Sequence, residues 1–256
     1  MSVRPDYYDI RMLSNSGLKL FLEYSPFKAQ YLYKESIKET PALVLGRAIH
    51  KVLLETDEFF DEFAVFPAIL KRTTKEGKAF YADLEATGKT ILSQKDYETC
   101  VGIFDSVNSS ENCRNLLKGD AEAEFFGKID GEELKAKVDL INESKNYVLD
   151  VKSSLDASPR AFIKDCMKRK YFMQAYIYTM LTGMQHFIFL AVEKEPPYAR
   201  SIVIVTDEQM AIGKVMFERA LKRYRYACQN PLEDYDIKIA RVETPKWSLR
   251  EWDLDR

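Results

Sequence analysis

Two aspartates and a lysine near the middle of the chain, Asp139, Asp150 and Lys152, are the residues best suited to chemistry. Asp150 and Lys152 lie two apart in a segment that alternates like a β-strand (146–152), so their side chains project from one face of a sheet. Asp139 lies near the end of the preceding strand-like segment and can meet Asp150 if the two strands are neighbours. Two carboxylates at one point repel each other, and a hard divalent cation with oxygen ligands is the natural compensation. The spacing favours a metal site in which Lys152 holds or activates a water and stabilises charge on a phosphate.

An Asp-x-Lys pair is weak evidence by itself, because that spacing often arises by chance on an exposed strand face with ordinary charges. Glu122, on an earlier strand-like segment, could add a third carboxylate to the site. The decision between a metal site and a charged surface therefore depends on the surrounding elements.

The strands that would position these residues are predicted from alternation and turn residues. Segments 121–128 and 133–141, joined by Asp130-Gly131, indicate a β-hairpin, and 146–152 indicates a third strand. The elements predicted downstream are a helix from Ser158-Pro159 to about 168, a helix over 171–184, strands near 186–192 and 200–205, and a helix from 206 to about 228.

The first half of the chain is predicted to be mainly helical. Short helices begin near Ser16 and Pro26, and a clearer helix over 42–55 carries Gly46 and His50, four residues apart on a shared face. The other predicted elements are a strand over 58–66 and helices around 76–87 and 94–107, the last capped by Ser93 with Asp96. This order indicates an α/β (α+β) fold with a mixed central β-sheet and helices on its faces.

Composition limits the class of protein. The 256 residues, 46% of them hydrophobic, suffice for one sizeable core, and we expect a single domain over 1–256 with a helical part over about 1–118 and a core over about 119–256. The net charge of −2 argues against a protein that coats nucleic acid through a general positive field. No apolar stretch is long enough to span a membrane and no signal-peptide core is visible, so we expect a cytoplasmic protein.

Cysteines and basic residues add two further expectations. The four cysteines have no ligand-like spacing, which speaks against zinc and iron–sulfur sites and favours reduced, mostly buried thiols. Three basic clusters could contact a polyanion, although each could equally be a solvated helix face. Their members are Lys71, Arg72, Lys75 and Lys78; Lys164, Lys168, Arg169 and Lys170; and Lys222, Arg223 and Arg225.

Three motifs together resemble the RecB-like branch of the PD-(D/E)xK nuclease superfamily. Asp139 followed by Asp150-Val-Lys152 resembles the D…(D/E)xK core, with Val138 in the place of the name-giving proline. Gly46-Arg-Ala-Ile-His50 resembles the G-x-x-x-H helix, and Gln174-Ala-Tyr-Ile-Tyr178 resembles the Q-x-x-x-Y helix. The resemblance implies a restriction-endonuclease-like core.

Further segments, in their order and spacing, are similar to the exodeoxyribonuclease VIII (RecE-like) family of phage recombination exonucleases. They are Ser14-Asn-Ser-Gly-Leu, Arg72-Thr-Thr-Lys-Glu-Gly-Lys78, Tyr171-Phe-Met-Gln174 and Pro245-Lys-Trp247. Trp247 and Trp252 could stack on DNA or contact another subunit, although burial in the core is the simpler expectation.

The resemblance also implies roles for individual residues. The implied ligands of a catalytic Mg²⁺ or Mn²⁺ are Asp139, Asp150, the Val151 carbonyl, Glu122 and His50. Lys152 would orient the water, while Gln174 and Tyr178 would bind Lys152 or a DNA phosphate. Glu124 lies two residues after Glu122 on the same face, so the choice between these two glutamates stays open.

The implied activity is a processive 5′→3′ exonuclease that releases mononucleotides from linear duplex ends and leaves 3′ single-stranded overhangs. The implied partners are double-stranded DNA ends, further copies in a ring-shaped homo-oligomer such as a tetramer, and a RecT-like single-strand annealing protein. The alternatives are a structure-specific endonuclease, a Cas4-like nuclease, an inactive nuclease fold that binds DNA or assembles complexes, and an unrelated metal-dependent hydrolase. The cysteine spacing speaks against a Cas4-like protein, and the intact Asp139, Asp150 and Lys152 set speaks against an inactive one.

Overall fold

The computed structural model describes residues 7, 10, 12–35, 39–234 and 243–244. Trp247 and Trp252 lie outside the described residues, so the expectations for them stay predictions. The elements of the first half are α1 (Asn15–Glu23), α2 (Pro26–Lys34), α3 (Pro41–Leu54), α4 (Phe59–Glu62), β1 (Phe63–Phe66), α5 (Lys75–Ala86), β2 (Thr90–Ser93), α6 (Gln94–Asn108) and α7 (Glu111–Leu116). Those of the second half are β3 (Asp120–Ile129), β4 (Glu132–Asn142), β5 (Tyr147–Ser154), α8 (Pro159–Arg169), α9 (Tyr171–Thr182), β6 (His186–Glu193), β7 (Arg200–Ile204) and α10 (Asp207–Gln229).

The central sheet has five strands in the order β3-β4-β5-β6-β7. The β3–β4 and β4–β5 pairs are antiparallel, β5–β6 is parallel, and β6–β7 is antiparallel. This mixed sheet with flanking helices confirms the predicted fold class.

Side chains of β5 alternate between two apolar layers. Leu149 and Val151 pack in the layer that includes residues of α3 and α6, whereas Val148 packs in the layer that includes residues of α8 and α9. Because strand residues alternate between faces, Asp150 lies on the α9 side of the sheet, where no water reaches it. The strand therefore holds a carboxylate inside an otherwise apolar structure.

The first half differs from its prediction in one segment. The expected strand over 58–66 is wrong in its first part: a 3₁₀ turn (Thr56–Glu58) and α4 come before β1. Phe59 and Phe63 are both buried and their rings stack 5.2 Å apart, a spacing of four residues that suits a helical turn. Neither β2, which pairs in parallel with β1, nor α7 was predicted.

Helix starts follow the predicted chemistry with one correction. The Ser93 hydroxyl accepts the Asp96 backbone N–H, as expected, and Thr206 caps α10 through a reciprocal capping box with Gln209. Ser158, expected to cap α8, has no capping side-chain bond, and its own N–H donates to Asp156 Oδ1 instead. Among the described residues, no helix combines the length and apolar character needed to cross a bilayer.

Candidate metal centre

The site begins where pairing between β4 and β5 ends. The backbone ladder includes Leu140 with Leu149, and in that register the next pair would be Asp139 with Asp150. There the Asp139 side chain replaces a backbone acceptor: its Oδ2 accepts the Val151 N–H at 2.7 Å. The strands therefore place both aspartates at one level of the sheet, as the sequence predicted.

Three side chains form an open cluster, defined here as His50, Glu122 and Asp139. One ligand atom from each residue lies within 4.8 Å of the other two, and all three residues are partly exposed. His50 Nδ1 is 3.4 Å from Asp139 Oδ2. Helix α3 therefore brings an imidazole to two carboxylates supplied by the sheet.

Glu122 has a strained backbone conformation. Its φ is 52°, a left-handed value for a non-glycine residue, between the paired residues Ala121 and Ala123. Such a conformation costs about 1 to 3 kcal/mol and persists only where the surroundings hold it, commonly at functional sites. Lys137 Nζ, 2.9 Å from Glu122 Oε2, is one such restraint. Glu124 is exposed and lies outside the open cluster.

A second group, the buried cluster, consists of Asp150, Lys152 and Gln174. Gln174 Nε2 donates to Asp150 Oδ1 at 2.6 Å, so within the protein this amide binds Asp150 and not Lys152. Its predicted contact with a DNA phosphate stays a prediction. Lys152 Nζ lies 2.5 Å from Asp150 Oδ2. The lysine ammonium therefore pairs directly with the second carboxylate oxygen.

Burial and neighbouring charges set the protonation of the two aspartates. Burial, opposed by Lys152 and reinforced by the Asp139 charge, raises the pKa of Asp150 to about 6. For Asp139 the effect of burial is outweighed by His50, Lys152 and the Val151 N–H, so its pKa is lowered. Asp139 is therefore the stronger anion of the pair.

The two basic groups keep their charge more readily than usual. Burial lowers the pKa of Lys152, but the Asp150 and Asp139 charges outweigh it and the net shift is upward. Burial and the Asp139 carboxylate likewise oppose each other at His50, and its pKa is raised on balance. A cation bound at His50 would compete with its proton, because only a neutral imidazole coordinates a metal.

Tyr178 lies one helical turn after Gln174 and is partly buried between two apolar layers. Burial first, then the charges of Asp150 and Asp139, raises its pKa well above the usual value. Its hydroxyl therefore stays protonated beside the acidic residues and can act as a donor. A role in binding Lys152 or a phosphate stays a prediction.

Two residues near the site were not predicted as site residues. Lys137 pairs with Glu122, and it lies two residues before Asp139, so period-two alternation on β4 could have indicated it. The Tyr171 ring lies beneath Lys152, with Nζ 4.9 Å from the ring centroid. Nothing local in the sequence indicates that contact, because it depends on how α9 packs against β5.

The donor set of the open cluster fits a divalent cation. Carboxylate oxygens suit Mg²⁺ and Mn²⁺, and an imidazole is also accepted by Mn²⁺ and other transition metals. His50, Glu122 and Asp139 would hold such an ion, which would supply a positive charge that polarises a phosphate and lowers the pKa of water. Ligand roles for Asp150 and the Val151 carbonyl stay predictions.

The three basic clusters have different surroundings. Arg223 donates to the Leu22 and Tyr24 carbonyls and Arg225 pairs with Glu132, so both hold helices or turns in place. Arg72 lies over the Phe66 and Tyr81 rings. Arg169, by contrast, acts electrostatically on Tyr171, the ring beneath Lys152. The cluster at the end of α8 is therefore adjacent to the buried cluster.

Comparisons with solved structures show the fold. The described structure is similar to that of a candidate exonuclease from Eubacterium rectale, with a TM-score of 0.66 at 15% identity over 97% of this chain and 98% of that one. A phage-related exonuclease from Haemophilus somnus 129PT gives a TM-score of 0.38 at 15% identity, over 61% of this chain and 84% of that chain. The first likeness shows a shared fold; the second is too low to carry an argument.

Sequence comparisons match the chain to a family but to no individual curated protein. No curated protein matches the chain. Residues 14–234 match the family described as a PDDEXK-like domain of unknown function (DUF3799), which confirms the superfamily resemblance. Since this match covers most of the chain and the expected acidic residues and lysine converge in one place, the protein belongs to that PDDEXK-like family.

Proposed function

We propose that the protein is a divalent-metal-dependent deoxyribonuclease, and more narrowly a 5′→3′ exonuclease on linear double-stranded DNA. The observation that carries the proposal is that two complementary clusters adjoin each other: an open one with ligands for a cation, and a buried one with a charged lysine. Asp139 of the open cluster accepts the N–H of Val151, which lies between Asp150 and Lys152. Family membership and the exonuclease-like fold support the same reaction class.

The residues divide the work of phosphodiester hydrolysis. A cation held by the open cluster would supply Lewis acidity when bound. Lys152, kept charged by its carboxylate neighbours, is placed to hold a water and to offset negative charge that develops on the phosphate. Gln174 and Tyr171 hold Asp150 and Lys152 in position from α9.

The finer parts of the proposal come from the RecE-like resemblance. They are Mg²⁺ or Mn²⁺ as cofactor, 3′ single-stranded overhangs as product, and a RecT-like annealing protein as partner in recombination. A ring-shaped homo-oligomer, such as a tetramer, would explain processivity without a strongly positive surface, given the net charge of −2. A cytoplasmic site of action, in a bacterial or phage-infected cell, belongs to the same proposal.

The decisive test incubates the protein with linear duplex labelled at the 5′ or 3′ end and with closed circular duplex. With Mg²⁺ or Mn²⁺ we expect degradation of linear DNA only, with early release of the 5′ label, and no reaction in EDTA. Nicking of the circle would favour a structure-specific endonuclease. Binding without cleavage under every metal condition would favour an inactive DNA-binding module.

A further inference from the structure

Gly46 occupies the interior of α3, one helical turn before His50. Glycine destabilises a helix interior relative to alanine, because it loses more conformational freedom on folding. A glycine at such a position therefore needs a reason, which is usually the close approach of another group.

Nothing within the described chain supplies that reason. An added Cβ at Gly46 would meet no atom within 4 Å, and its φ is not in the left-handed region. The four other glycines within helices differ, since a Cβ there would collide with a backbone carbonyl or an aromatic ring. These are Gly17 in α1, Gly77 in α5, Gly102 in α6 and Gly213 in α10. As far as residues 12–35 and 39–234 are concerned, the space over Gly46 is open.

That open space adjoins the open cluster. Residues four apart lie on one face of a helix, about 6 Å apart along its axis. The same face continues to Leu43, which is 50% exposed. The neighbouring Arg47 is held by Glu39 and Glu62, each at 2.7 Å. An uncharged strip, formed by Gly46 and Leu43, thus leads away from His50.

The chemistry of this strip selects its occupant. Phosphate contacts need a donor, either a cationic, hydroxyl or amide side chain or a free backbone N–H, and Gly46 and Leu43 in the interior of the helix offer none. An uncharged surface with no side chain at its centre suits a flat, largely apolar group that must lie close to the helix. Deoxyribose and base of a nucleotide have that character.

We propose that Gly46 keeps α3 bare so that the sugar and base of the nucleotide adjoining the reacting phosphate pack directly on the helix. The inference rests on the proposed function and deepens it, since it names a contact with the nucleoside rather than with the phosphate. Gly46 is then a substrate-positioning residue. Leu43 extends the same contact outward.

The test compares Gly46→Ala and Gly46→Val with the wild type and with Ala82→Val, which adds two carbons at an exposed position of α5 and so falls between the two glycine variants. Affinity for a fluorescein-labelled 20-base-pair duplex is measured by anisotropy in Ca²⁺. We expect about a tenfold loss for Gly46→Ala and a larger loss for Gly46→Val, on the scale of steric exclusion in a packed interface. Ala82→Val should bind as the wild type does.

Two further readouts separate this role from a structural one. Gly46→Ala should melt at an equal or higher temperature, because alanine favours the helix. Mn²⁺ affinity, measured by calorimetry, should be unchanged in both variants, because the added atoms lie one helical turn away from His50 and touch none of the proposed metal ligands. A parallel loss of Mn²⁺ affinity, or wild-type DNA affinity in both variants, would overturn the inference.

The proposed function fails separately. If the wild type binds duplex but fails to cleave it with every divalent cation tested, the nuclease proposal is wrong. The affinities of the Gly46 variants still decide the nucleoside contact in that case. If the wild type binds no duplex at all, both fall.

Discussion

The open and buried clusters lie side by side but differ in how far their polar atoms are satisfied. Asp139, Glu122 and His50 are partly exposed, and their ligand atoms converge on a common space. Asp150 has no exposed surface, and one of its oxygens is held by Gln174 while the other faces Lys152. This contrast shows how one site can combine a place for an exchangeable ligand with a preorganised charge: the carboxylate that pairs with Lys152 is sealed from water, while the lysine itself stays partly exposed.

The substitution Lys152→Ala should have the largest effect on cleavage. It removes the ammonium that we propose offsets charge on the reacting phosphate and leaves the residues of the open cluster in place, so cleavage should fall about a hundredfold or more. Affinity for duplex in Ca²⁺ should change far less, because phosphate contacts elsewhere dominate binding. Single-turnover rates and anisotropy measure the two effects. Lys95→Ala, at an exposed lysine of α6 outside the three basic clusters, is the control; a near-normal rate in Lys152→Ala would contradict the assignment.

Asp139→Asn tests whether the open cluster binds a divalent cation. Losing the anion shared by His50 and the Val151 N–H should weaken Mn²⁺ binding about 10- to 100-fold, the range seen when groups around a bound metal are altered. Calorimetry with Mn²⁺ measures this. Glu124→Gln, at an exposed acid on the neighbouring strand β3, should bind Mn²⁺ normally. An equal loss of Mn²⁺ affinity in Asp150→Asn would show that the two clusters form a single metal site.

Gln174→Ala tests how much the hydrogen bond to Asp150 in the buried cluster contributes to stability. It strips a buried carboxylate oxygen of its hydrogen bond, which should lower the free energy of unfolding by about 1 to 3 kcal/mol. Gln94→Ala removes a similar bond to Glu98 on an exposed helix face and should cost little. Thermal or urea unfolding compares them. Equal stability of the two variants would contradict the buried cluster as described.

The smallest expected effect concerns the ring beneath Lys152. Tyr171→Leu should slow cleavage about two- to fivefold, because a cation over an aromatic face gains modest stabilisation. Tyr171→Phe keeps the face and should react at nearly the normal rate. If the phenylalanine variant were the slower of the two, the hydroxyl and not the ring would matter.

Local patterns predicted the parts of the site that depend on local structure. The β3–β4 hairpin and β5 followed from alternation and the Asp130-Gly131 turn, and they placed Asp139 and Asp150 together. The separation of these aspartates into exposed and buried surroundings was not predictable, since it depends on the packing of α3 and α9 on opposite faces of the sheet. For the same reason the sequence did not indicate that Gln174 binds Asp150.

The spacing of contacts along the chain also has a consequence for folding. Asp139 meets Val151 across 12 residues, and Gln174 meets Asp150 across 24, so both contacts close short loops. His50 reaches Asp139 from α3, far earlier in the sequence, and contacts between distant segments form more slowly. We therefore expect the buried cluster to assemble with the sheet, and the cation ligands to become complete only when α3 docks. His50 would then join two carboxylates that the sheet has already positioned.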